Sequence, residues 1–131
     1  MKKMGILNRQ LSKVIASMGH GDYLVIADAG LPIPLDKELV DLAISKNIPN
    51  FIEVLNSVLI ELEVKSAIIP IEMKNYSFKN YNNIIKTLKD KEVAEISHED
   101  FKKKMISARA FVRTGEFSPY SNIILISDVV F

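Results

Sequence analysis

The sequence predicts an α/β fold: a single domain of three layers, α/β/α, in which helices cover a mostly parallel central sheet. Short apolar segments with the composition of buried strands alternate with amphipathic segments of helical period. The Gly and Pro residues fall where turns are expected between these segments, and no internal repeat or linker divides the chain. A length of 131 residues suits one hydrophobic core, so we expect residues 1–131 to form one domain.

The first half of the chain is expected to hold two helices and three strands. The first helix should start at an Asn8 cap and end at Gly19, since glycine suits the left-handed position that follows a helix. Asn50 and Glu53 have capping-box spacing and should begin the second helix. The apolar positions of the first helix are Leu7, Leu11, Val14, Ile15 and Met18, and those of the second helix are Phe51, Val54, Leu55, Val58, Leu59 and Leu62. The expected strands cover residues 23–27, 39–44 and 65–71.

The second half is expected to hold two more helices and three strands. Ser97 should cap the fourth helix, in which His98 takes the first position. The expected elements are a helix over 81–88, a strand over 92–96, the helix after Ser97, and β-rich segments over 108–114 and 122–131, separated by a loop over 115–119. Ligands of such sheets gather at the carboxyl ends of the strands. The turns at Asp28, Glu72, His98 and Thr114 are therefore placed to share a pocket.

Composition and charge exclude several classes of function. The net charge is +1, from 17 basic and 16 acidic residues, which favours neither nucleic acid nor a membrane surface as a partner. The chain has no cysteine, and this excludes disulfides, thiolate catalysis and cysteine-ligated metals. No apolar run approaches the roughly 20 residues of a membrane-spanning helix, and the first residues lack the pattern of a secretion signal. We therefore expect a cytoplasmic protein.

Several catalytic motifs are missing from the sequence. The two histidines are not in His-x-x-x-His spacing, so we expect no bound catalytic metal. The Gly-x-Gly-x-x-Gly and Gly-Lys-Ser/Thr patterns of nucleotide sites are absent, and so is the Gly-x-Ser-x-Gly elbow of serine hydrolases. Any chemistry is thus expected to proceed without a metal or a nucleotide cofactor.

His20 and Asp28 are the first candidates for a functional site. His20 lies in a glycine-flanked turn, and histidine is the side chain best suited to proton transfer near neutral pH. A histidine after a helix is equally explained by the helix dipole. Asp28 follows a predicted strand, where it could orient an imidazole or bind a hydroxyl. An aspartate beside glycine is also an ordinary turn residue, and the residues alone favour that interpretation.

Three further candidates lie in the second half of the chain. His98 at a helix N-terminus should prefer the neutral ring, which makes it a good hydrogen-bonding group; the slightly favoured alternative is a surface histidine within a Ser-x-x-Asp cap. Tyr120 can pack its ring on the C–H face of a sugar, and Asn122 can both donate to and accept from neighbouring hydroxyls. The alternative for both is a hairpin with polar turn residues.

Several separate motifs, in this order, resemble the family of ribose pyranases and fucose mutarotases, and most closely its ribose pyranase branch. The resemblance runs from Lys2 to Phe131 without a large insertion. The motifs are Gly5-Ile6-Leu7-Asn8, Gly19-His20-x-Asp22, Ile26-Ala27-Asp28-Ala29-Gly30-Leu31-Pro32-x-Pro34, Ser97-His98-Glu99, Arg113-Thr114-Gly115-Glu116 and Pro119-Tyr120-x-Asn122.

The resemblance implies a cofactor-free mutarotase that opens and recloses the ring of D-ribose, interconverting β-D-ribopyranose and β-D-ribofuranose and supplying the furanose for phosphorylation. It implies His20 as the catalytic acid/base, with Asp28, His98, Tyr120 and Asn122 around the sugar. It also implies a homodecamer of two stacked pentamers with sites at subunit boundaries. Two alternatives stay open: a non-catalytic ribose-binding accessory of an uptake system, and a fucose mutarotase.

The chain departs from the family pattern at two places. Met4 stands where a polar or small residue is common, and Ser127-Asp128 stands where a small residue followed by glycine is expected. We expect both departures to affect only local packing near the two ends, and neither to touch the site.

Overall fold

A computed structural model describes residues 1–131 and confirms the three-layer α/β/α fold. The elements are α1 Arg9–Ala16, β1 Tyr23–Ala27, β2 Glu38–Asp41, α2 Phe51–Glu61, β3 Val64–Pro70, α3 Met73–Tyr76, α4 Phe78–Thr87, β4 Glu92–Ile96, α5 His98–Met105, β5 Ala110–Arg113 and β6 Ile123–Ser127. None of these helices combines the length and the apolar character that crossing a bilayer requires.

The six strands form one mostly parallel sheet in the order β2-β5-β1-β6-β3-β4. β2, β5 and β1 run parallel to one another, and β3 runs parallel to β4. β6 lies between β1 and β3 and is antiparallel to both. The start of β6 therefore lies on the side of the sheet where the other five strands end. Its own end lies on the opposite side, where the other strands begin. These two sides are called the edges of the sheet below.

The hydrophobic core has two parts, one on each face of the sheet. Along β1, Leu24 and Ile26 point to the face covered by α1, α2, α3 and α4, while Val25 and Ala27 point to the face covered by α5. All four residues are fully buried. This period of two, with apolar residues on both faces, explains why the strand is a continuous apolar run in the sequence.

The three predicted helix caps, Asn8, Asn50 and Ser97, are confirmed by their hydrogen bonds. The Asn8 side chain accepts from the N–H of Leu11 at 2.9 Å. Asn50 accepts from the Glu53 N–H at 2.9 Å, and the Glu53 carboxylate accepts from the Asn50 N–H at 3.0 Å. Ser97 accepts from the N–H of Asp100 at 3.1 Å. These bonds satisfy N–H groups that have no partner inside a helix.

The prediction for Gly19 was wrong. α1 ends at Ala16 with Ser17 as its cap, and the Ser17 hydroxyl donates to the carbonyl of Val14. The left-handed glycine of this turn is Gly21, with φ 82°. A side-chain hydroxyl thus satisfies the end of the helix before the glycine is reached.

Several elements differ from those predicted: α4 begins at Phe78 instead of 81, and β5 covers Ala110–Arg113 instead of 108–114. The short helix α3 was not predicted. β2 stops at Asp41, whose side chain accepts from the N–H of Ala43 and turns the chain away from the sheet. β6 stops at Ser127, because Ser127 is opposite the first residue of β3 and no strand extends beyond it. Apolar composition alone therefore overestimates the length of both strands.

Candidate functional site

A pocket lies at the edge where the parallel strands end. It is lined by the 28–32 turn after β1, by His98 at the start of α5, by Arg113 at the end of β5, and by residues 116–120 of the following loop. The structure thus brings three of the predicted site residues, Asp28, His98 and Tyr120, into one pocket. Ligand sites of such sheets are expected at this edge.

Asp28 is held rigidly by its own turn. Its Oδ1 accepts from the N–H groups of Gly30 and Leu31, at 3.0 and 2.9 Å. Burial raises the pKa of the Asp28 carboxyl above its ordinary value of 3.8, against the opposing effect of its hydrogen bonds and of His98. Oδ2 has fewer partners than Oδ1 and is the oxygen with free capacity to accept from a ligand.

Asn122 lies directly behind Asp28 and is fully buried. Its Oδ1 accepts from the Asp28 N–H at 2.9 Å, and its Nδ2 donates to Asp28 Oδ2 at 3.2 Å. Asn122 stands just before β6, so the antiparallel strand carries it to the pocket edge. In this structure Asn122 fixes the position of Asp28 and does not line the pocket itself.

His98 lines the pocket and has one ring nitrogen without a hydrogen-bond partner. Its backbone N–H donates to both carboxylate oxygens of Glu72, at 3.1 and 3.0 Å, which fixes the start of α5. The ring stacks on Phe101 at a centroid distance of 6.4 Å. Nδ1 is buried and has no hydrogen-bond partner in the chain. A buried polar atom without a partner is costly, so a ligand hydroxyl that reaches it would be bound favourably.

Tyr120 has an uncommon backbone conformation, with φ 61°. Its ring lies nearly perpendicular to the His98 ring at a centroid distance of 5.0 Å and packs on Tyr76 at 5.3 Å. A bulky residue at positive φ is strained, and such strain persists only where the surroundings impose it. The packing therefore holds an aromatic ring in the wall of the pocket.

Arg113 and Glu116 contribute to the site, although neither was predicted as a site residue. Arg113 donates through Nε to the Ala29 carbonyl at 3.1 Å and pairs with Asp41 at 3.1 Å, so it ties the Asp28 turn to β2. The buried Glu116 carboxylate accepts from Asn80 at 2.7 Å and anchors the loop that carries Tyr120. Both belong to the Arg113-Thr114-Gly115-Glu116 motif, which was the available signal.

His20 lies at the opposite edge of the sheet. The five residues of β1 separate its turn from Asp28, which at roughly 3.3 Å per residue is on the order of 15 Å. His20 does not line the pocket, and 58% of its side-chain surface is exposed. One chain by itself therefore does not bring His20 to the other four predicted residues.

The expectation that the Ser127-Asp128 departure stays clear of the site residues was wrong. Asp128 Oδ1 lies 3.0 Å from Nδ1 of His20. Asp128 follows β6, and the antiparallel course of that strand returns it to the edge where β1 begins. Met4, the other departure, is exposed.

Comparison with known proteins gives one consistent family. A sequence model of the RbsD / FucU transport protein family matches residues 1–130. The chain is 50% identical to a D-ribose pyranase of Petrotoga mobilis and 47% identical to one of Limosilactobacillus reuteri, each over 131 residues and the full length of both chains.

Two solved structures extend this likeness to the fold. Bacillus subtilis RbsD complexed with D-ribose has a TM-score of 0.97 and 40% identity, with full coverage of both chains. The fucose mutarotase of Streptococcus pneumoniae in complex with L-fucose has a TM-score of 0.80 and 28% identity, with 95% of each chain covered.

Proposed function

We propose that this chain, which belongs to the RbsD / FucU transport protein family, acts as a D-ribose pyranase, an isomerase that interconverts β-D-ribopyranose and β-D-ribofuranose. The observation that carries the proposal is the full-length identity to D-ribose pyranases. The fucose mutarotase is the more distant relative. We place the reaction in the cytoplasm, where the furanose would supply ribose phosphorylation.

The reaction needs only proton transfer. Ring opening removes the proton of the anomeric hydroxyl and delivers a proton to the ring oxygen as the C1–O bond breaks, which gives the open-chain aldehyde. A different hydroxyl then attacks C1 and loses its proton as the carbonyl oxygen gains one. A positioned acid/base contributes roughly 100- to 10,000-fold to such a reaction. Exchange is therefore expected to survive exhaustive chelation.

The pocket supplies groups suited to binding a sugar. Tyr120 offers an aromatic face to the C–H surface of the ring, and Nδ1 of His98 is free to hydrogen-bond to a hydroxyl. Asp28, oriented by Asn122, offers a carboxylate oxygen as an acceptor. In the proposal four residues form the D-ribose site: Asp28, His98 and Tyr120 face the sugar, and Asn122 acts by orienting Asp28.

His20 is the proposed acid/base, and a second copy of the chain must then supply it. The support is its exposure, its distance from the pocket of its own chain, and the exposed apolar residues Val130 and Phe131 on the same edge. A surface of this kind suits contact with another subunit. We propose a homo-oligomer, a decamer of two stacked pentamers, with each site at a subunit boundary.

The two histidines separate catalysis from binding. His20→Ala is expected to abolish most ring exchange at saturating ribose and to leave ribose binding measurable. His98→Ala should mainly weaken binding, by about 0.5 to 1.5 kcal/mol for one lost hydrogen bond. Magnetisation-exchange NMR on ribose anomers measures the rate, and calorimetry measures the dissociation constant. Near-normal turnover in His20→Ala would remove it from the acid/base role.

A non-catalytic ribose-binding accessory is the alternative, since the pocket of a single chain lacks His20. The same NMR measurement distinguishes the two functions, because a pure binder leaves the exchange rates at their values in buffer. Repeating it with fucose identifies a fucose mutarotase, which would accelerate exchange of that sugar more.

A further inference from the structure

His20 and Asp128 form a hydrogen-bonded pair whose two halves are anchored by backbone hydrogen bonds. The Gly21 N–H donates to the Ser127 carbonyl, and the Ser127 N–H donates to the Asp22 carbonyl, both at 2.9 Å. The Ser127 hydroxyl also donates to the Gly19 carbonyl. These bonds lock the His20 turn to the end of β6, so the carboxylate and the imidazole are held opposite each other.

The carboxylate of Asp128 is an ionised acceptor. Its Oδ1 accepts from the Val129 N–H at 2.9 Å and lies 3.0 Å from Nδ1 of His20. The Val129 N–H lowers the pKa of the Asp128 carboxyl, and His20 and Lys65 act in the same direction. An ionised carboxylate can only accept, so Nδ1 must be the donor. The neutral imidazole then carries its proton on Nδ1, and Nε2 is left as the free base.

Other charged groups near this pair have different partners. Asp22 is paired with Arg109 at 3.1 Å, and Glu63 is paired with Lys91 at 2.8 Å. Lys65 and Lys91 act on Asp128 only through their charge. Asp128 is therefore the single carboxylate bonded to His20, and it stands where the family pattern predicts a glycine that could not make this bond.

We propose that Asp128 is a positioning residue for His20: it accepts the Nδ1 proton, fixes the tautomer whose Nε2 exchanges a proton with the sugar, and stabilises the imidazolium that forms in between. The inference rests on the proposed function. The pair lies at a solvated surface in one chain, where ion pairs contribute little to stability. Its effect within one chain should therefore appear in the rate and in the tautomer, and only weakly in the stability of the fold.

Two substitutions separate the hydrogen bond from the charge. Asp128→Gly removes both and leaves the ring unrestrained, whereas Asp128→Asn keeps an acceptor oxygen and loses the charge. We expect Asp128→Gly to lower the exchange rate at saturating ribose by roughly tenfold, because a charge-assisted hydrogen bond is lost. The dissociation constant for ribose should change by less than about twofold, since Asp128 does not touch the sugar pocket. Asp128→Asn should be intermediate in rate.

Nitrogen-15 NMR of the His20 imidazole reports its tautomer, which would not change if Asp128 had a purely structural role. In the unsubstituted protein the neutral His20 ring should be the Nδ1–H tautomer, and Asp128→Gly should shift it towards a mixture. Asp90→Asn is the matched control: it removes one exposed negative charge near Lys91 without a contact to His20. The control should match the unsubstituted protein in rate, affinity and tautomer.

The outcomes distinguish this inference from the proposed function. An unsubstituted protein without ribose exchange contradicts the proposed function and the inference with it. Exchange that is present and survives Asp128→Gly undiminished contradicts the inference alone, as does a neutral His20 that carries its proton on Nε2. If Asp128→Gly fails to assemble by sedimentation, the isosteric Asp128→Asn decides: a rate equal to that of Asp90→Asn overturns the inference.

Discussion

At the scale of single residues, the pocket brings together three groups that are each energetically unfavourable in the free protein. His98 has a buried ring nitrogen without a partner, Tyr120 is held at positive φ, and the Asp28 carboxyl is buried enough to raise its pKa. Each of these costs stability in the free protein. A ligand with several hydroxyls and an apolar face would relieve the first and the third and would cover the aromatic ring.

Tyr120 is expected to contribute to ribose affinity mainly through its ring. Tyr120→Ala should weaken binding by roughly 1 kcal/mol or more, because the aromatic contact is lost. Tyr120→Phe keeps the ring and is the control, with a smaller loss from the hydroxyl alone. Isothermal calorimetry measures both. An unchanged affinity in Tyr120→Ala would exclude the residue from the site.

Ribose affinity should depend on pH through Asp28. Burial raises the pKa of this carboxyl, so as pH falls Asp28 gains its proton at a higher pH than an ordinary aspartate and loses acceptor strength. Affinity should therefore decline as pH is lowered through that raised pKa. Asp28→Asn has no such proton to gain and should bind weakly without this pH dependence. A dissociation constant for the unsubstituted protein that is flat down to about pH 4 would contradict the role of the ionised carboxylate.

At the scale of elements, the loop between β5 and β6 shapes the site. It carries Glu116 and Tyr120, and it passes against the segment after β2 at Gly115. A Cβ on Gly115 would clash with the Ser45 carbonyl oxygen and would lie 2.6 and 2.7 Å from backbone atoms of Ile48. All three atoms belong to the backbone of the 45–48 turn, so no flexible side chain can move aside, and the loop position depends on this glycine.

Gly115→Ala should destabilise the fold and disturb the pocket. Relief of the clash requires backbone shifts, which typically cost about 1 to 3 kcal/mol. Gly19→Ala is the control, since a Cβ there meets only the Asp22 carboxylate at an ordinary 3.6 Å. Urea unfolding measures stability, and calorimetry measures ribose affinity. Equal stability of the two variants would contradict the dependence of the loop position on Gly115.

At the scale of the whole molecule, the sheet separates the proposed acid/base from the sugar pocket. Asp28 and Asn122 lie at one edge, and His20 and Asp128 lie at the other. Assembly is therefore expected to be part of catalysis. The apolar residues Val129, Val130 and Phe131 directly follow Asp128 and are exposed in the single chain, Phe131 completely.

Removal of residues 129–131 is expected to weaken assembly and, with it, ring exchange. Exposed apolar side chains on the His20 edge suit burial against a second subunit. Sedimentation velocity measures the size, and exchange NMR measures the rate on the same samples. Lys3→Ala, an exposed change near the other terminus, is the control. A truncated protein with the native sedimentation coefficient and native exchange would place these residues outside the interface.

The amino-acid sequence by itself determined the features of the fold that depend on residues close together in the chain. The caps at Asn8, Asn50 and Ser97 were predictable because each side chain bonds to a backbone group three residues away. The β1 run and its turn at Asp28 were predictable from local period and composition. The pocket edge followed from parallel strands that end together.

Only the tertiary structure decided what depends on the placement of β6. Pattern and composition do not state whether a final apolar strand becomes an outer or an inner strand of the sheet, or in which direction it runs, because pairing is a contact between distant segments. The antiparallel position between β1 and β3 carries Asn122 to Asp28, 94 residues away, and Asp128 to His20, 108 residues away. The same strand therefore supplies a positioning group to each edge, and no local signal marks Asp128 as the partner of His20.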